Sequence, residues 1–212
     1  MSRSVFVALT GGPGGGKSTL VEELRCDPAW SGRVVFLPEA ISVAGRVGLS
    51  PREQTFQRVM VTLQMALEDG LERGLVRDRP RVVLCHRGSL DPLAYWLDRG
   101  WPPAQFYAVT GTVLEEHYRR YAAVLHLVTA ADGARQHYLR WPHAHRRETA
   151  EEARRLDGLL GHVWGAHPHY HWVGNEGRDW AAKSEAARRI LQRVMPAGGR
   201  VAVPDRGEPG RG

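Results

Sequence analysis

A glycine-rich stretch near the start of the chain constrains its fold more than any other feature. Residues 5–19 read VFVALTGGPGGGKST, an apolar strand pattern that breaks into glycines before a helical pattern begins. The pattern G-x-x-x-x-G-K-[ST] is satisfied without a mismatch by Gly11, Gly16, Lys17 and Ser18. In such a loop, successive backbone N–H groups and the N terminus of the following helix point at one anion. The stretch therefore predicts a site for a nucleoside triphosphate.

Individual binding roles follow from the chemistry of this loop. We expect Lys17 to reach the β- and γ-phosphates, and the Ser18 hydroxyl to hold Mg²⁺. We also expect Lys17 to be exposed on the loop and to pack against nothing. The residues predicted to contact ATP or GTP are Gly11, Gly12, Pro13, Gly14, Gly15, Gly16, Lys17, Ser18 and Thr19.

The chain is basic, with a formal net charge of +6 over 212 residues. Such a charge suits an anionic partner, and a nucleotide already meets that requirement. The arginines mostly stand beside Glu or Asp, and no Lys/Arg run is interleaved with aromatic residues. This pattern is typical of solvated helix faces, so binding to nucleic acid is not favoured.

Cysteine usage and the absence of long apolar runs bear on the compartment. The two cysteines, Cys26 and Cys85, form no C-x-x-C motif, which disfavours a disulfide framework or a zinc ribbon. Cys85 ends an apolar run and is predicted to be a small core residue. The first residues lack the apolar segment of a signal peptide, and no apolar run has the length of a membrane span. We therefore expect a reducing cytoplasm and no association with a membrane.

The rest of the chain alternates apolar runs with helical patterns, as in a parallel sheet covered on both faces. Strands are predicted at residues 5–10, 34–37, 81–85, 123–128 and 170–173. Helices are predicted at residues 17–25, 50–73, 114–121 and 179–195, the second with a capping box at 50–53, and residues 100–112 are predicted to form a loop. We predict one domain over residues 1–196, followed by a disordered tail over residues 197–212.

Polar side chains follow the second and third predicted strands. Glu39 stands just past the second strand, and Arg87 and Asp91 follow the third. The carboxyl ends of parallel strands are where such sheets bind ligands, which makes these residues candidates for the site. Gln57 and Gln64 lie at the edge of the apolar stripe of the 50–73 helix. They are either solvent-facing glutamines or amides that line a substrate pocket.

An arginine-rich segment follows the fourth strand, and its acidic neighbours leave two interpretations open. The arginines are Arg135, Arg140, Arg146 and Arg147, followed by Glu148, Glu151 and Glu152. Arginine binds phosphate oxygens through a planar fork, so residues from about 132 to 158 fit a lid that closes over phosphates. The alternative is an exposed helix with ion pairs between residues four apart.

Several short motifs together resemble a known group. They are residues 11–19, 37–40, 86–88 with Asp91, 123–127, 147–149 with Ala153 and Leu156, and then Trp164, His167, Pro168, Asn175 and Lys183. In this order they resemble the P-loop ATPase and kinase family that includes the nicotinamide riboside kinase domain of NadR-type proteins and related AAA-like ATP/GTP-binding domains. The first motif is specific to triphosphate binding, and the order of the others carries the rest of the resemblance.

The resemblance implies an α/β fold with three layers, the P-loop NTPase fold. Its parallel sheet has five strands in the order 2-3-1-4-5, with helices on both faces and an Arg-rich lid. It places Glu39 near an acceptor hydroxyl and residues 135–147 in the lid. The family pattern usually has Asp where this chain has His86. We therefore expect Asp91 or Glu39 to carry the metal role, or activity to be reduced.

Two functions of different classes fit these features. The first is an ATP-dependent kinase for a small hydroxyl-bearing metabolite, with nucleosides among the candidates. In it, Lys17 holds the phosphates, Glu39 orients or deprotonates the acceptor hydroxyl, and Asp91 supports the site. Charge on the transferred group is stabilised by Arg87, Arg146 and Arg147.

The second is a regulatory nucleotide-binding ATPase or GTPase that signals to a partner. The absence of an N-K-x-D motif argues against a dedicated GTPase. A nucleic-acid-associated ATPase is suggested only by the net charge. The acceptor, the choice between ATP and GTP, and the oligomeric state stay open.

Overall fold

The structure, a computed structural model, describes residues 4–41, 48–75, 81–134, 136, 138, 148–175 and 179–195. Its strands are β1 Val5–Thr10, β2 Val34–Leu37, β3 Val82–Cys85, β4 Ala123–Leu127 and β5 Tyr170–Val173. Its helices are α1 Lys17–Cys26, α2 Gln54–Gly74, α3 Asp91–Asp98, α4 Pro103–Thr110, α5 Leu114–Arg119, α6 Ala150–Trp164 and α7 Trp180–Val194. None of these helices is long and apolar enough to cross a membrane.

The five strands form one parallel sheet in the order β2-β3-β1-β4-β5. The expected strand order is therefore confirmed. The central strand β1 pairs with β3 from Val5 opposite Val82, and with β4 from Val7 opposite Ala123. Because all strands run in one direction, their carboxyl ends meet at one edge, and the segments that follow β1, β2 and β3 converge there.

Alternate residues of the central strands pack against helices on opposite faces of the sheet. On one face, Val7 and Leu9 of β1 contact α1 and α7 through Leu20, Leu24, Ala187 and Leu191. On the other, Phe6 and Ala8 belong to a core with α2, α3, α4 and α6 that includes Val61, Trp96, Phe106, Leu160 and Trp164. Each fully buried aliphatic or aromatic side chain contributes about 1.5–3 kcal/mol, so both faces stabilise the sheet. This arrangement is the three-layer architecture that was expected.

Two local predictions were wrong. The helix predicted from residue 50 begins at Gln54, because Ser50 accepts a hydrogen bond from the N–H of Arg52 and so closes a turn before the helix. Residues 103–110, predicted as part of a loop, form α4. Proline at the first position of that helix and glycine after its last turn are favourable start and stop residues.

The other boundaries agree with the prediction to within a few residues. Cys85 is fully buried, as expected for a core residue. Residues 135, 137 and 139–147 of the predicted lid and the whole of the tail over residues 197–212 lie outside the described residues, and α6 begins inside the predicted lid range at Ala150. The division into a domain and a tail stays a prediction.

Gly11→Ala is expected to destabilise the protein far more than Gly32→Ala. Both glycines have positive φ, 126° at Gly11 and 70° at Gly32, which costs an alanine about 1–2 kcal/mol. A Cβ on Gly11 would in addition lie 2.1 Å from the carbonyl oxygen of Leu127, whereas one on Gly32 would meet nothing within 4 Å. We expect a loss of about 3–5 kcal/mol for Gly11→Ala, because strain and overpacking add. Urea denaturation measures both losses, and equal losses would contradict this packing.

Candidate active site

The phosphate loop between β1 and α1 is held by hydrogen bonds from distant parts of the chain. Oδ1 of Asp157 in α6 accepts the backbone N–H of Gly12 at 2.6 Å and that of Thr129 at 3.1 Å. The Thr129 hydroxyl donates to the carbonyl of Pro13, and the N–H of Ala130 donates to the carbonyl of Gly14 at 3.2 Å. The loop is therefore fixed between α6 and the segment that follows β4.

Sequence reasoning missed Asp157 altogether. The available signal was an acidic residue at a buried position of the apolar stripe of α6, where Leu156 and Leu160 also face the core. A buried carboxylate needs hydrogen-bond donors, and the phosphate loop supplies one of them. Nε2 of His126 lies 3.1 Å from the same oxygen.

Lys17 is buried, with 6% of its surface exposed, and the expectation of an exposed side chain was wrong. It begins α1, and its ammonium group donates to the carbonyls of Gly11 at 2.6 Å and Gly12 at 3.0 Å. Burial, aided by the positive charge of Arg87, lowers the pKa of Lys17 to about 7, although nearby carboxylates oppose the shift. The side chain is thus folded back on its own loop, beside the place where phosphates are expected.

The polar side chains of Ser18, His86 and Glu39 contact one another in sequence beside the phosphate loop. The hydroxyl of Ser18 lies 3.1 Å from Nε2 of His86, and Nδ1 of His86 lies 2.7 Å from Oε1 of Glu39. Burial disfavours the ionised form of Glu39. The His86 contact and the charge of Arg87 outweigh it, and they lower the pKa of Glu39 to about 2. The carboxylate is therefore ionised over the whole range in which the protein is expected to work.

Arg87 is held between two carboxylates. Its Nε lies 3.3 Å from Oε1 of Glu39, and one terminal nitrogen lies 3.6 Å from Oδ2 of Asp91. Asp91 is buried, and its Oδ1 accepts hydrogen bonds from the Thr10 hydroxyl at 3.0 Å and the Trp164 indole at 2.8 Å. Asp91 thus anchors the arginine from behind, while the guanidinium group borders the cavity.

A cavity of about 930 Å³ extends from the phosphate loop to the wall formed by α2. Its far part is lined by the apolar side chains of Ile41, Pro51, Phe56, Met60 and Pro92, together with Tyr95. Gln57 and Gln64 also line it and are only 3% and 2% exposed, which supports the pocket interpretation over a solvent-facing one. The amide nitrogen of Gln64 donates to Glu68 at 2.8 Å, and that of Gln57 donates to the carbonyl of Pro51 at 3.2 Å.

The opposite wall of the cavity comes from the segment between β5 and α7. Asn175, Trp180 and Lys183 line it. The ammonium group of Lys183 donates to the carbonyl of Val128 at 2.6 Å and to Oδ1 of Asn175 at 2.8 Å. Burial lowers the pKa of Lys183 to about 8. Asn175 and Lys183 were part of the resemblance, and the structure brings them together beside the phosphate loop.

The structure therefore assembles most of the predicted site residues around one cavity. The predicted positions that line it are Pro13, Gly14, Gly15, Gly16, Lys17, Ser18, Thr19, Glu39, Arg87 and Asp91. Arg146 and Arg147 lie outside the described residues, and so does Arg135. Their place in a lid stays a prediction.

The donors at this site fit magnesium only in part. The Ser18 hydroxyl is the hard oxygen ligand that Mg²⁺ prefers, but its near neighbour is the imidazole of His86 and not a carboxylate. Imidazole suits Mn²⁺, Co²⁺ and Zn²⁺ better than Mg²⁺. In the part of the chain that the structure describes, no three His, Cys, Asp or Glu side chains are grouped to hold a metal ion.

Comparisons with known proteins agree with this fold. A family model described as an AAA domain matches residues 6–183. Deoxyadenosine kinase from M. mycoides superimposes with a TM-score of 0.58 at 12% identity, over 89% of this chain and 100% of the other. Thymidylate kinase from Candida albicans superimposes with a TM-score of 0.64 at 14% identity, over 91% and 93% of the two chains. At these identities the likeness shows a shared fold. No curated protein matches the sequence.

Binding of ATP is expected to take up nearly one proton per molecule at about pH 8. In the free protein Lys17 is mostly neutral at that pH, because its pKa is about 7. Triphosphate charge beside the ammonium group favours the protonated form and raises the pKa back toward its ordinary value. Calorimetry in buffers of different ionisation enthalpy measures the uptake.

Lys17→Met should abolish this uptake, whereas Lys183→Met, which removes the other lysine of lowered pKa in the cavity, should leave most of it. If the uptake disappears only in Lys183→Met, the assignment of Lys17 to the phosphates is wrong.

Proposed function

The chain belongs to the AAA domain family, and from that premise we propose that it is an ATP-dependent kinase that phosphorylates a hydroxyl group of a nucleoside-like metabolite. One observation carries the proposal. The cavity is not confined to the phosphate loop: its lining also includes Glu39, Arg87 and largely apolar side chains on and around α2, and we call this α2 part of the cavity the second chamber. A protein that only hydrolyses a nucleotide needs no such chamber, whereas a kinase needs a place for its acceptor.

Phosphoryl transfer depends on position and charge, because the reacting group needs little covalent help from the protein. In this proposal Lys17 leaves the carbonyls of its own loop and binds the β- and γ-phosphates. The backbone N–H groups of the loop hold the same phosphates. Asp157 keeps the loop in place from below through Gly12. The loop backbone and Asp157 are arranged before the nucleotide arrives, so the reorganisation required of these groups is that of Lys17.

Glu39 lies between the phosphate loop and the second chamber, where an acceptor hydroxyl would meet the γ-phosphate. Its low pKa makes it a weak base but a permanent acceptor of hydrogen bonds. Such a carboxylate orients the hydroxyl in the ground state and takes its proton late, once bonding to phosphorus has made that proton acidic. We therefore assign orientation first and deprotonation second to Glu39.

The guanidinium group of Arg87 contacts Glu39. It lines the cavity between the phosphate loop and the second chamber. Asp91 fixes the guanidinium group from its buried side. A planar guanidinium group binds phosphate oxygens through two nitrogens, which suits charge on the transferred group. Arg146 and Arg147 would add to this charge when a lid closes.

The second chamber has the character expected for a nucleoside. Phe56 and Met60 offer apolar surface for a flat base, and the amides of Gln57 and Gln64 can meet its polar edge. The proteins that share the fold include kinases named for deoxyadenosine and thymidylate. Nicotinamide riboside, the acceptor implied by the resemblance, is also a nucleoside. We therefore choose nucleosides and nucleotides of this kind as the phosphate acceptors to be tested.

The experiment that tests the proposal is transfer of labelled phosphate from ATP to a panel of nucleosides, nucleoside monophosphates and nicotinamide riboside. Transfer to at least one acceptor, and its loss in Lys17→Ala, would support a kinase. ATP hydrolysis that no acceptor changes, with no labelled acceptor product, would favour the regulatory ATPase.

Glu39→Gln should leave ATP affinity nearly unchanged and reduce phosphoryl transfer by about 10²–10⁴-fold, the usual contribution of a positioned base. The amide keeps the size of the side chain but loses its charge and its ability to take a proton. Transfer is measured with the best acceptor of the panel, and ATP affinity by calorimetry. Unchanged transfer at every divalent-metal concentration would show that Glu39 does not serve the acceptor.

Gln64→Leu should raise the KM for the acceptor by about 10-fold and leave the KM for ATP unchanged, since one buried hydrogen bond is worth about 1 kcal/mol or slightly more. Gln54→Leu is the matched control, because Gln54 lies on the same helix but bonds to Gln105 outside the cavity. Steady-state kinetics with each substrate varied in turn measure both effects. A similar change in both variants would contradict an acceptor chamber at α2.

A further inference from the structure

The geometry points to a metal site at Ser18 and His86 that takes Mn²⁺ or Co²⁺ in preference to Mg²⁺, with Glu39 as the residue that positions the imidazole. The inference rests on the proposed function in one respect, that a nucleotide occupies the phosphate loop. It does not depend on the identity of the acceptor or on the transfer step.

The first support is the distance between the two donors. Nε2 of His86 and Oγ of Ser18 are 3.1 Å apart. Two adjacent ligands that each lie about 2.1 Å from one ion are separated by about 3 Å, so the spacing of these two atoms matches that of neighbouring ligands of a single cation. Both side chains line the cavity, and Ser18 is exposed, so the pair is accessible to an incoming ion.

The second support is the tautomer that Glu39 imposes. A carboxylate only accepts hydrogen bonds, and Oε1 of Glu39 faces Nδ1 of His86 at 2.7 Å. With the ring proton of a neutral imidazole on Nδ1, beside this carboxylate, the lone pair is on Nε2, the nitrogen that lies 3.1 Å from Oγ of Ser18. A carboxylate behind a histidine is the arrangement that orients histidine ligands of transition metals.

The third support is the partner that Ser18 has in the structure. Oε1 of Glu39 is contacted by both His86 and Arg87, and Oδ1 of Asp91 accepts bonds from Thr10 and Trp164. The Ser18 hydroxyl lies 3.1 Å from the imidazole of His86, whereas Mg²⁺ would prefer a carboxylate oxygen beside it. The imidazole takes that position.

The protein supplies only two donors, and this predicts how the metal enters. No group of three His, Cys, Asp or Glu side chains is present in the described residues, so the metal alone should bind weakly. Phosphate oxygens of a bound nucleotide complete the coordination. The cation and the nucleotide should therefore bind together, with a preference for Co²⁺ over Mn²⁺ and for Mn²⁺ over Mg²⁺.

The test uses the full chain with ADP and Mn²⁺, because ADP contains the phosphates but cannot be consumed. Pulsed electron paramagnetic resonance detects the coupling of a directly bound imidazole nitrogen to Mn²⁺. We expect this coupling in the ternary complex. We also expect ADP to bind more tightly with Mn²⁺ than with Mg²⁺ by roughly 10-fold or more, the size of effect usual for groups that hold a metal.

Two variants make the assignment specific. His86→Asp should remove the nitrogen coupling and shift the preference toward Mg²⁺, and His86→Gln is the second variant in case the aspartate impairs folding. His171→Gln is the matched control, because His171 lies in β5 and does not line the cavity. It should retain both the coupling and the metal preference.

The outcomes separate this inference from the proposed function. If ADP binds with either metal but no imidazole coupling appears, or if His86→Asp leaves the ratio of Mn²⁺ to Mg²⁺ affinities unchanged, the metal site is wrong and the kinase proposal stands. If ADP binds with neither metal, both are overturned.

Discussion

The buried carboxylate of Asp157 is the contact on which the rest of the site depends. It accepts the N–H of Gly12 at the start of the phosphate loop and the N–H of Thr129 after β4, two backbone segments that the sheet brings side by side. A buried charge is tolerated only when its hydrogen bonds are satisfied, so the carboxylate and the loop fix each other. Since Asp157 belongs to α6, the helix that begins inside the predicted lid range, the position of that helix and the shape of the phosphate loop are tied together.

The cavity next to Asp157 is lined by basic and acidic side chains, which offset each other's charge in the ligand-free protein. Lys17 and Arg87 face Glu39 and Asp91, and burial of these groups makes each interaction stronger than it would be in water. A triphosphate disturbs that balance by adding negative charge on the side of Lys17. In the proposed binding mode Lys17 leaves the carbonyls of Gly11 and Gly12 for a phosphate, and neither of these two contacts is an ion pair. In that mode the carboxylates would keep their contacts with His86 and Arg87, and this part of the cavity would keep its arrangement.

Features that are local, or that belong to a known order of motifs, could be predicted from the sequence. The phosphate loop, the five strands and their order could be predicted, because each strand is a short apolar run and the motifs follow one another as in related proteins. Contacts between distant residues were inaccessible. Gly12 and Asp157 are 145 positions apart, and Ser18 and His86 are 68 apart, so no periodic pattern marks either pair. The burial of Lys17 was missed for the same reason, because α1 alone does not reveal what covers its first turn.

A second buried network connects the α2 wall of the cavity to the segment that follows β3. Glu68 of α2 accepts hydrogen bonds from Gln64 and from the Tyr121 hydroxyl, and Arg120 pairs with its other oxygen at 2.6 Å. The same Tyr121 oxygen accepts the N–H of Ser89 at 2.6 Å, two residues after Arg87. One carboxylate and one phenol therefore link the amide at the far wall to the backbone that carries the cation near the phosphates. Because Glu68 and Tyr121 are each bonded to two or more partners, the fold holds Gln64 and the backbone near Arg87 at a set separation. In the proposed kinase reaction, a cavity of fixed length would select acceptors by size, and this selection would help to place a hydroxyl group against the γ-phosphate.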